Sequence, residues 1–296
     1  MLPRASTPLA GLPRLADVIK NAGLVPDKRL GQHFLLDPAI LGRIAAAPGK
    51  LEGRPVLEIG PGPGGLSRAL LDRGARLWAI ERDRRCTAAL APLVEAAAGR
   101  LVLIEADALD VDIAELARAH AVDQPWAIVA NLPYNIGTEL VLRWLHRLDC
   151  VASLHVMLQK EVALRLAAEP GSGDYGRLAL VAQSLCRVRR CFDIPAGAFQ
   201  PPPRVTSSLV ELIPLPATGR PSGDRLRAIE QIGRVAFGQR RKMLRASLKG
   251  LVPDPEPLLA AAGIAADRRP ETLGLAEFDR LAAAWQTLRK AGGGTA

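Results

Sequence analysis

Cysteine is scarce in this chain of 296 residues. Cys86, Cys150, Cys186 and Cys191 are all it has, no two of them form a C-x-x-C pair, and His33, His120, His146 and His155 do not cluster with them. That spacing suggests neither a zinc site nor a disulfide framework, and core filling is the expected use of the thiols. No apolar run approaches the ~18 residues that a membrane span requires. The opening MLPRASTPLAGLPRL is cut by prolines and arginines where a secretory leader needs an unbroken apolar centre. A soluble cytoplasmic protein with no metal is the expectation. There is no internal repeat and no low-complexity tract beyond the AGGGTA end. Acidic residues are also in deficit: 30 Asp plus Glu against 39 Lys plus Arg leave a formal charge of +9, which favours a polyanionic partner such as nucleic acid over a small neutral ligand.

What the chain does have is a stretch around which the rest is organised, VLEIGPGPGG at Val56 to Gly65. Val56, Leu57 and Ile59 read as a buried strand, and the glycines after them let the backbone turn sharply and approach a ligand. Gly60, Gly62 and Gly65 satisfy the G-x-G-x-x-G pattern of dinucleotide-binding folds, so the glycines alone do not choose a cofactor. Glu58 discriminates better. A carboxylate just before the loop would repel a pyrophosphate but attract a cation, and S-adenosylmethionine carries a sulfonium and an ammonium and no phosphate. The second strand ends at Glu81, about where such folds place an acid for ribose hydroxyls, and the third runs into Asp107, placed to reach an adenine amine. Each acid alone reads as a solvated residue at a strand end; three in register with strand ends point to a nucleoside site.

Strands near 55–59, 76–80, 101–105, 126–130 and 151–158 alternate with helices near 66–73, 84–97, 112–120 and 138–147. This predicts parallel strands joined by crossover helices, with ligands at their carboxyl ends. The fold class is therefore α/β, a Rossmann-like sheet, and an antiparallel pair closing five parallel strands is what a seven-stranded, S-adenosylmethionine-dependent methyltransferase sheet would need. A further helix is expected over 161–168, and two closing strands over 178–188 and 205–213. Before the sheet, a helix over 14–22 and KRLGQHFLLD (28–37) form an N-terminal arm that packs Phe34 and Leu35 on the core, with Asp37 and Pro38 opening the next helix. IPLPATGRPSG (213–223) marks a linker. We divide the chain at that point into a cofactor-binding domain, 1–215, and a smaller all-helical basic domain, 216–296, with helices near 224–238, 240–249, 255–263 and 275–290. The second domain contains 14 Lys plus Arg against 8 Asp plus Glu. Arg241, Arg245 and Lys249 follow at i, i+4 and i+8 and would share a helix face. Arg187, Arg189, Arg190 and Arg204, flanking the last strands of the first domain, form a second basic group, which would border the same groove.

After the fourth strand comes Asn131-Leu132-Pro133-Tyr134. Asn and Pro also end strands for purely conformational reasons, but this tetrapeptide sits at a strand's carboxyl end beside the glycine loop, where a methyl donor would point. An exocyclic adenine amine is a poor nucleophile because its lone pair is delocalised into the ring. Acceptors on its hydrogens, the Asn131 amide oxygen and the Leu132 carbonyl, would draw the nitrogen towards tetrahedral geometry. Pro133 stiffens the carbonyl's direction, and Tyr134 offers a face for the base. Orientation and acceptors for developing positive charge then carry the acceleration.

With these stretches together the chain resembles the KsgA/RsmA family of ribosomal RNA adenine dimethyltransferases over nearly its whole length. The matching segments are KRLGQHFLLD (28–37), VLEIGPGPGGLS (56–67), IERD (80–83), ADAL (106–109), NLPYNIGT (131–138), YGRLALVAQ (175–183), FDIPAGAFQPPPRVTSSLV (192–210), FGQRRKMLRASLK (237–249) and RPETLGLAEF (269–278). The resemblance implies transfer of two methyl groups from S-adenosylmethionine to N6 of each of two adjacent adenosines near the 3′ end of 16S rRNA, on an assembling small subunit. It implies donor contacts at His33, Leu35, Gly60, Glu81, Asp107 and Asn131, a catalytic loop at Asn131 to Tyr134, and an aromatic, Phe199, covering the base opposite Tyr134; a purely structural Phe199 is equally compatible. The reading of the residues adds Glu58 and Gly62 to the donor set. His33 departs from the family, which often has Asn there. An imidazole can donate and accept, and its charge would make donor affinity pH-sensitive near neutrality.

Two alternatives stay open on the sequence. Related monomethyl or dimethyl transferases acting on large-subunit rRNA are the nearest competing enzymes; the basic C-terminal helices and the FGQRRKMLRASLK stretch favour the small-subunit assignment by resemblance. A ribosome-assembly or transcription factor could retain the fold as a nucleic-acid-binding module, against which the intact acids and NLPY loop argue. A monomer is the expected state.

Overall fold

The structure, a computed structural model, describes residues 8–27 and 30–292; the arm's basic pair Lys28 and Arg29 and the last residues of the AGGGTA end lie outside the described residues. The arm opens with α1 (Leu15–Asn21), then β1 (Phe34–Leu35) and α2 (Pro38–Ala46). Asp37 caps α2, its carboxylate accepting the Ala39 N–H at 2.8 Å and the Ile40 N–H at 3.1 Å. Pro38 fills the first helical position, where an amide hydrogen has no partner within the helix.

Strands and helices then alternate as β2 (Pro55–Ile59), α3 (Gly65–Asp72), β3 (Arg76–Glu81), α4 (Arg84–Ala96), β4 (Leu101–Glu105), α5 (Ile113–Ala119), β5 (Trp126–Asn131), α6 (Gly137–Leu145) and β6 (Val151–Gln159). These five long strands are parallel, in the order β4-β3-β2-β5-β6. The expected strand positions hold to within a residue. β2 is buried along its whole length, as an apolar strand covered on both faces must be. Side chains of α2, α3 and α4 share a core with Val56, Leu77, Ala79 and Val129 of the sheet. The chain leaves β2 outwards to β3 and β4 and returns on the other side as β5, so β2 and β5 flank the switch point where open parallel sheets leave a crevice at their carboxyl ends.

After β6 follow α7 (Lys160–Leu166), α8 (Arg177–Leu185), β7 (Cys186–Ile194), the short β8 (Phe199–Gln200) and β9 (Ser207–Pro214). β9 runs antiparallel to β6, and β7 lies outside it, completing seven strands. The strand expected over 178–188 is a correction. Its first part is α8, and the strand begins only at Cys186. LALVAQSL is composed mainly of good helix formers, and Ala179, Leu180, Ala182 and Leu185 supply a buried helical stripe. The two-residue strands β1 and β8 pair antiparallel, Leu35 opposite Phe199.

The chain forms two compact units, residues 1–163 with 189–214 and residues 164–188 with 215–296. Where the sequence suggests one cut near 215, contacts place 164–188 with the C-terminal segment. Ala179 and Leu180 of α8 pack with Ile229 and Ile232 of α9 (Gly223–Gly238). The second unit continues through α10 (Leu244–Ser247), α11 (Glu256–Ala261) and α12 (Leu275–Gly292). The helix expected over 240–249 is a second correction: it starts at Leu244, and Arg241 lies in the preceding turn. The Leu244 and Arg245 N–H groups donate to the Arg268 and Ala266 carbonyls at 2.8 and 3.0 Å, which fixes the helix start there. Consequently Arg241 does not share a helix face with Arg245 and Lys249. Among the described residues no helix is long and apolar enough to cross a membrane. All four cysteines are unpaired; Cys86 and Cys186 are buried and the other two half-buried.

Candidate active site

A pocket of about 1060 Å³, open space at its mouth included, lies in the first unit at the carboxyl ends of the parallel strands. The glycine loop, the strand-end acids, the arm and the NLPY loop all line it. Gly60 and Gly62 adopt positive φ, +66° and +54°, so the loop turns in a way that side chains resist. A Cβ on Gly62 would stand 3.3 Å from the Phe34 ring, because the arm lies directly over the loop.

Glu58, at the end of β2, is 1% exposed and accepts a hydrogen bond from Ser67 Oγ at 2.6 Å. Burial pushes its carboxyl up to about 8, more than the Ser67 hydroxyl can offset, and the neighbouring Glu81 adds to the rise. Without a cation beside it, Glu58 is therefore protonated at neutral pH. Glu81 is also buried, with its pKa raised by desolvation despite three backbone donors. Its Oε2 accepts the Gly62 N–H at 3.0 Å, and its Oε1 accepts the Arg82 and Asp83 N–H groups at 2.9 and 2.8 Å. Of the roughly four acceptor positions on a carboxylate three are used, and one is left for a ligand. Asp107 stands at the rim, accepting from Arg82 Nη1 at 2.9 Å and from the Leu109 N–H at 3.0 Å.

Across the pocket Asn131 ends β5. Its Nδ2 donates to the His33 carbonyl at 3.1 Å. Since a carbonyl can only accept, this contact assigns the amide: nitrogen towards the arm, Oδ1 left for a ligand. The His33 imidazole is fixed in the same way, Nδ1 donating to the Pro201 carbonyl at 2.8 Å. Its ring lies 5.6 Å from that of Tyr134, tilted by 30°. Leu132, Pro133 and Tyr134 line the pocket beside Asn131, and Leu35 joins His33 from the arm. Phe199 does not line it. The pairing of β1 with β8 sets Phe199 opposite Leu35, and its side chain is buried in the main core with Leu35 and Ile194, so the purely structural role is the one its position supports.

The arm carries a residue that motif reasoning passed over. Gln32 Oε1 accepts the Asp27 N–H at 2.8 Å, and its Nε2 donates to Asp83 Oδ2 at 2.9 Å, tying the arm to the turn that holds Glu81. Asp83 in turn is paired with Arg85, whose hydrogen bonds hold the Asp83 carboxyl down at about 2. Ser67 and Ser207 were equally silent; a lone serine carries no spacing signal.

The basic residues fall in both units. Arg189, Arg190 and Arg204 belong to the first and are exposed, but two of them are engaged: Arg189 grips Glu211 through Nε and Nη2, both at 3.0 Å, and Arg190 pairs with Asp193. Arg187, Arg241, Arg245 and Lys249 belong to the second unit and are exposed.

The profile of the ribosomal RNA adenine dimethylase family matches residues 26–284. The chain belongs to that family. It is therefore an S-adenosyl-L-methionine-dependent enzyme that methylates adenine in ribosomal RNA. Among curated relatives, the ribosomal RNA small subunit methyltransferase A of Rhodospirillum rubrum is 49% identical over 281 residues, covering 95% of each chain. That of Mesorhizobium japonicum is 52% identical over 279 residues, covering 92% of this chain and 97% of its own. Among solved structures, a dimethyladenosine transferase from Plasmodium falciparum superposes with a TM-score of 0.71 at 24% identity, over 88% of this chain and 98% of that one, and shows the shared fold. The 23S rRNA methyltransferase ErmE follows at 0.64 and 25% identity, over 86% and 99%. Family membership agrees with the residues that line the pocket, whose buried acids suit a cationic nucleoside better than a pyrophosphate.

Proposed function

We propose that this dimethylase converts two adjacent adenosines near the 3′ end of 16S rRNA to N6,N6-dimethyladenosine, acting as a cytoplasmic monomer on an assembling small subunit. The small-subunit assignment is supported by relatives near 50% identity that carry that name, against 25% for the large-subunit enzyme. When bound, the donor supplies a methyl group activated by its sulfonium. Glu58 offers a carboxylate to the donor's positive end, Glu81 its remaining acceptor position to ribose hydroxyls, and Asp107 an acceptor at the adenine rim. Gly60, Gly62, His33 and Leu35 close around them.

The observation that carries the reading is Asn131, whose amide is anchored through nitrogen on the His33 carbonyl so that Oδ1 is left for the pocket. Together with the Leu132 carbonyl it accepts the two N6 hydrogens in the first transfer, and one of the two acceptors holds the single remaining hydrogen in the second, localising the lone pair on nitrogen and aiming it at the methyl carbon. One hydrogen leaves as a proton for each methyl gained. Tyr134 supplies a stacking face, and most of the rate comes from orientation. The exposed Arg204, Arg241, Arg245 and Lys249, with Arg187, Arg189 and Arg190, hold phosphates, positioning the RNA without reading its sequence; residues 216–296 form the core of that RNA-recognition module. Incubation with labelled donor and undermethylated small subunits, mature large subunits or bare RNA, followed by nucleoside analysis, tests the proposal. Dimethyladenosine in undermethylated small subunits alone is the expected result, and label in the large subunit would redirect it.

A further inference from the structure

We propose that Ser207 is a positioning residue for the target base, acting through the hydroxyl of Tyr134; this rests on the reading of Tyr134 as the base's stacking partner. Ser207 opens β9 and is fully buried. It stands opposite Gln159 at the end of β6, and beside it the Lys160 N–H donates to the Thr206 carbonyl at 2.9 Å, so its backbone is fixed on the sheet. Its Oγ shares a hydrogen bond of 2.5 Å with Tyr134 Oη. The opposite end of that ring belongs to a loop, residues 132–136, that borders the pocket.

A tyrosine ring on a loop has two torsions to fix before its face can serve as a platform. The backbone anchors one end, through Pro133, whose carbonyl accepts the Gly137 N–H at 2.9 Å. The tether to Ser207 anchors the far end, and the two together set the plane of the ring. Burial pushes the Tyr134 phenol above its ordinary value, so the hydroxyl stays protonated across the neutral range and the tether persists. A bond that only satisfied the buried serine would leave methylation untouched when broken. One that aims the ring must appear in the rate, because a poorly aimed amine loses part of the orientation on which the reaction depends.

The test compares kcat, RNA KM and donor Kd for the full-length protein, Tyr134→Phe, Ser207→Ala and the double variant on undermethylated small subunits. Tyr134→Phe keeps the ring and removes only its tether. Each single variant should lower kcat by about 3- to 10-fold, the range expected for one neutral hydrogen bond, with donor Kd unchanged. The double variant should be no slower than the slower single, since both remove the same bond. Wild-type kcat in either single variant, losses that multiply in the double, or a donor Kd that worsens in step with kcat would overturn the inference. If Ser207→Ala does not fold, Tyr134→Phe decides on the same criteria. A wild-type protein that methylates no ribosomal particle would instead overturn the underlying reading, and this inference with it.

Discussion

Replacing Asn131 by alanine is the sharpest perturbation of the proposed chemistry. It removes an acceptor whose value grows as positive charge develops on the attacking amine, and such a charge-assisted bond contributes roughly 1.5–3 kcal/mol, or on the order of ten- to a hundred-fold in rate. It also frees the half-buried His33 carbonyl from a 3.1 Å bond. That loss costs about 1 kcal/mol, small against the stability of a domain of this size, so the variant folds and its donor pocket can be checked by calorimetry. RNA affinity should survive, because the basic residues proposed to hold phosphates lie elsewhere. Asn131→Asp sharpens the experiment: it matches the size but has no hydrogen for the His33 carbonyl, so its carboxylate turns away and the rate should fall at least as far as with alanine. The assay is single-turnover transfer of labelled methyl to undermethylated small subunits at saturating donor. Transfer by Asn131→Ala within about two-fold of wild type, a difference under 0.5 kcal/mol, would refute the assignment of the loop.

Further expectations follow from the same geometry. Donor binding that charges Glu58 must expel the proton held there by burial, so affinity should rise with pH towards about 8 and flatten above it; calorimetry should show this rise reduced in Glu58→Gln. In the donor-free protein the sign is opposite. With a folded value near 8 against an ordinary 4.5, Glu58 binds the proton more tightly in the folded state. Its contribution to stability is thus complete below pH 4.5 and lost as the pH climbs to 8, at no more than about 1.4 kcal/mol per unit, a decline that thermal denaturation should find reduced in Glu58→Gln. Gly62→Ala places a Cβ at φ +54° and 3.3 Å from the Phe34 ring; it should cost about 1–2 kcal/mol, read as a lower Tm with weakened donor binding. Arg245→Ala should flatten the logarithmic salt dependence of RNA binding by about 0.7–0.9 with kcat at saturating RNA preserved, and an unchanged slope would remove Arg245 from the phosphate contacts.

What was legible in the sequence follows from how far apart the interacting residues are. Parallel strands joined by crossovers bring their carboxyl ends to one edge, so an acid or amide at the end of each apolar run announces its place with no knowledge of the rest of the chain; Glu58, Glu81, Asp107 and Asn131 are singled out that way, and all four line the pocket. The closures of the pocket have no such local mark. Gln32 meets Asp83 across 51 positions, Tyr134 meets Ser207 across 73, and Asn131 meets the His33 carbonyl across 98. No periodicity records a pair of that separation, and a glutamine or serine has no composition signal of its own. Local ambiguity explains the two segments where structure and sequence pattern differ: residues 178–182 are an apolar run that fits a strand or a buried helix, while the start at Leu244 is set by carbonyls of residues 266 and 268. Phe199 shows the same limit from the other direction, since its motif carries an expected role but its pairing opposite Leu35 decides where the ring goes. The local signals therefore specify which groups can do the chemistry, and the long-range contacts specify how they are aimed. An enzyme that works mainly by orientation keeps much of its rate in the second set, which is why substitutions at Ser207 are expected to register in kcat although its sequence context predicts nothing.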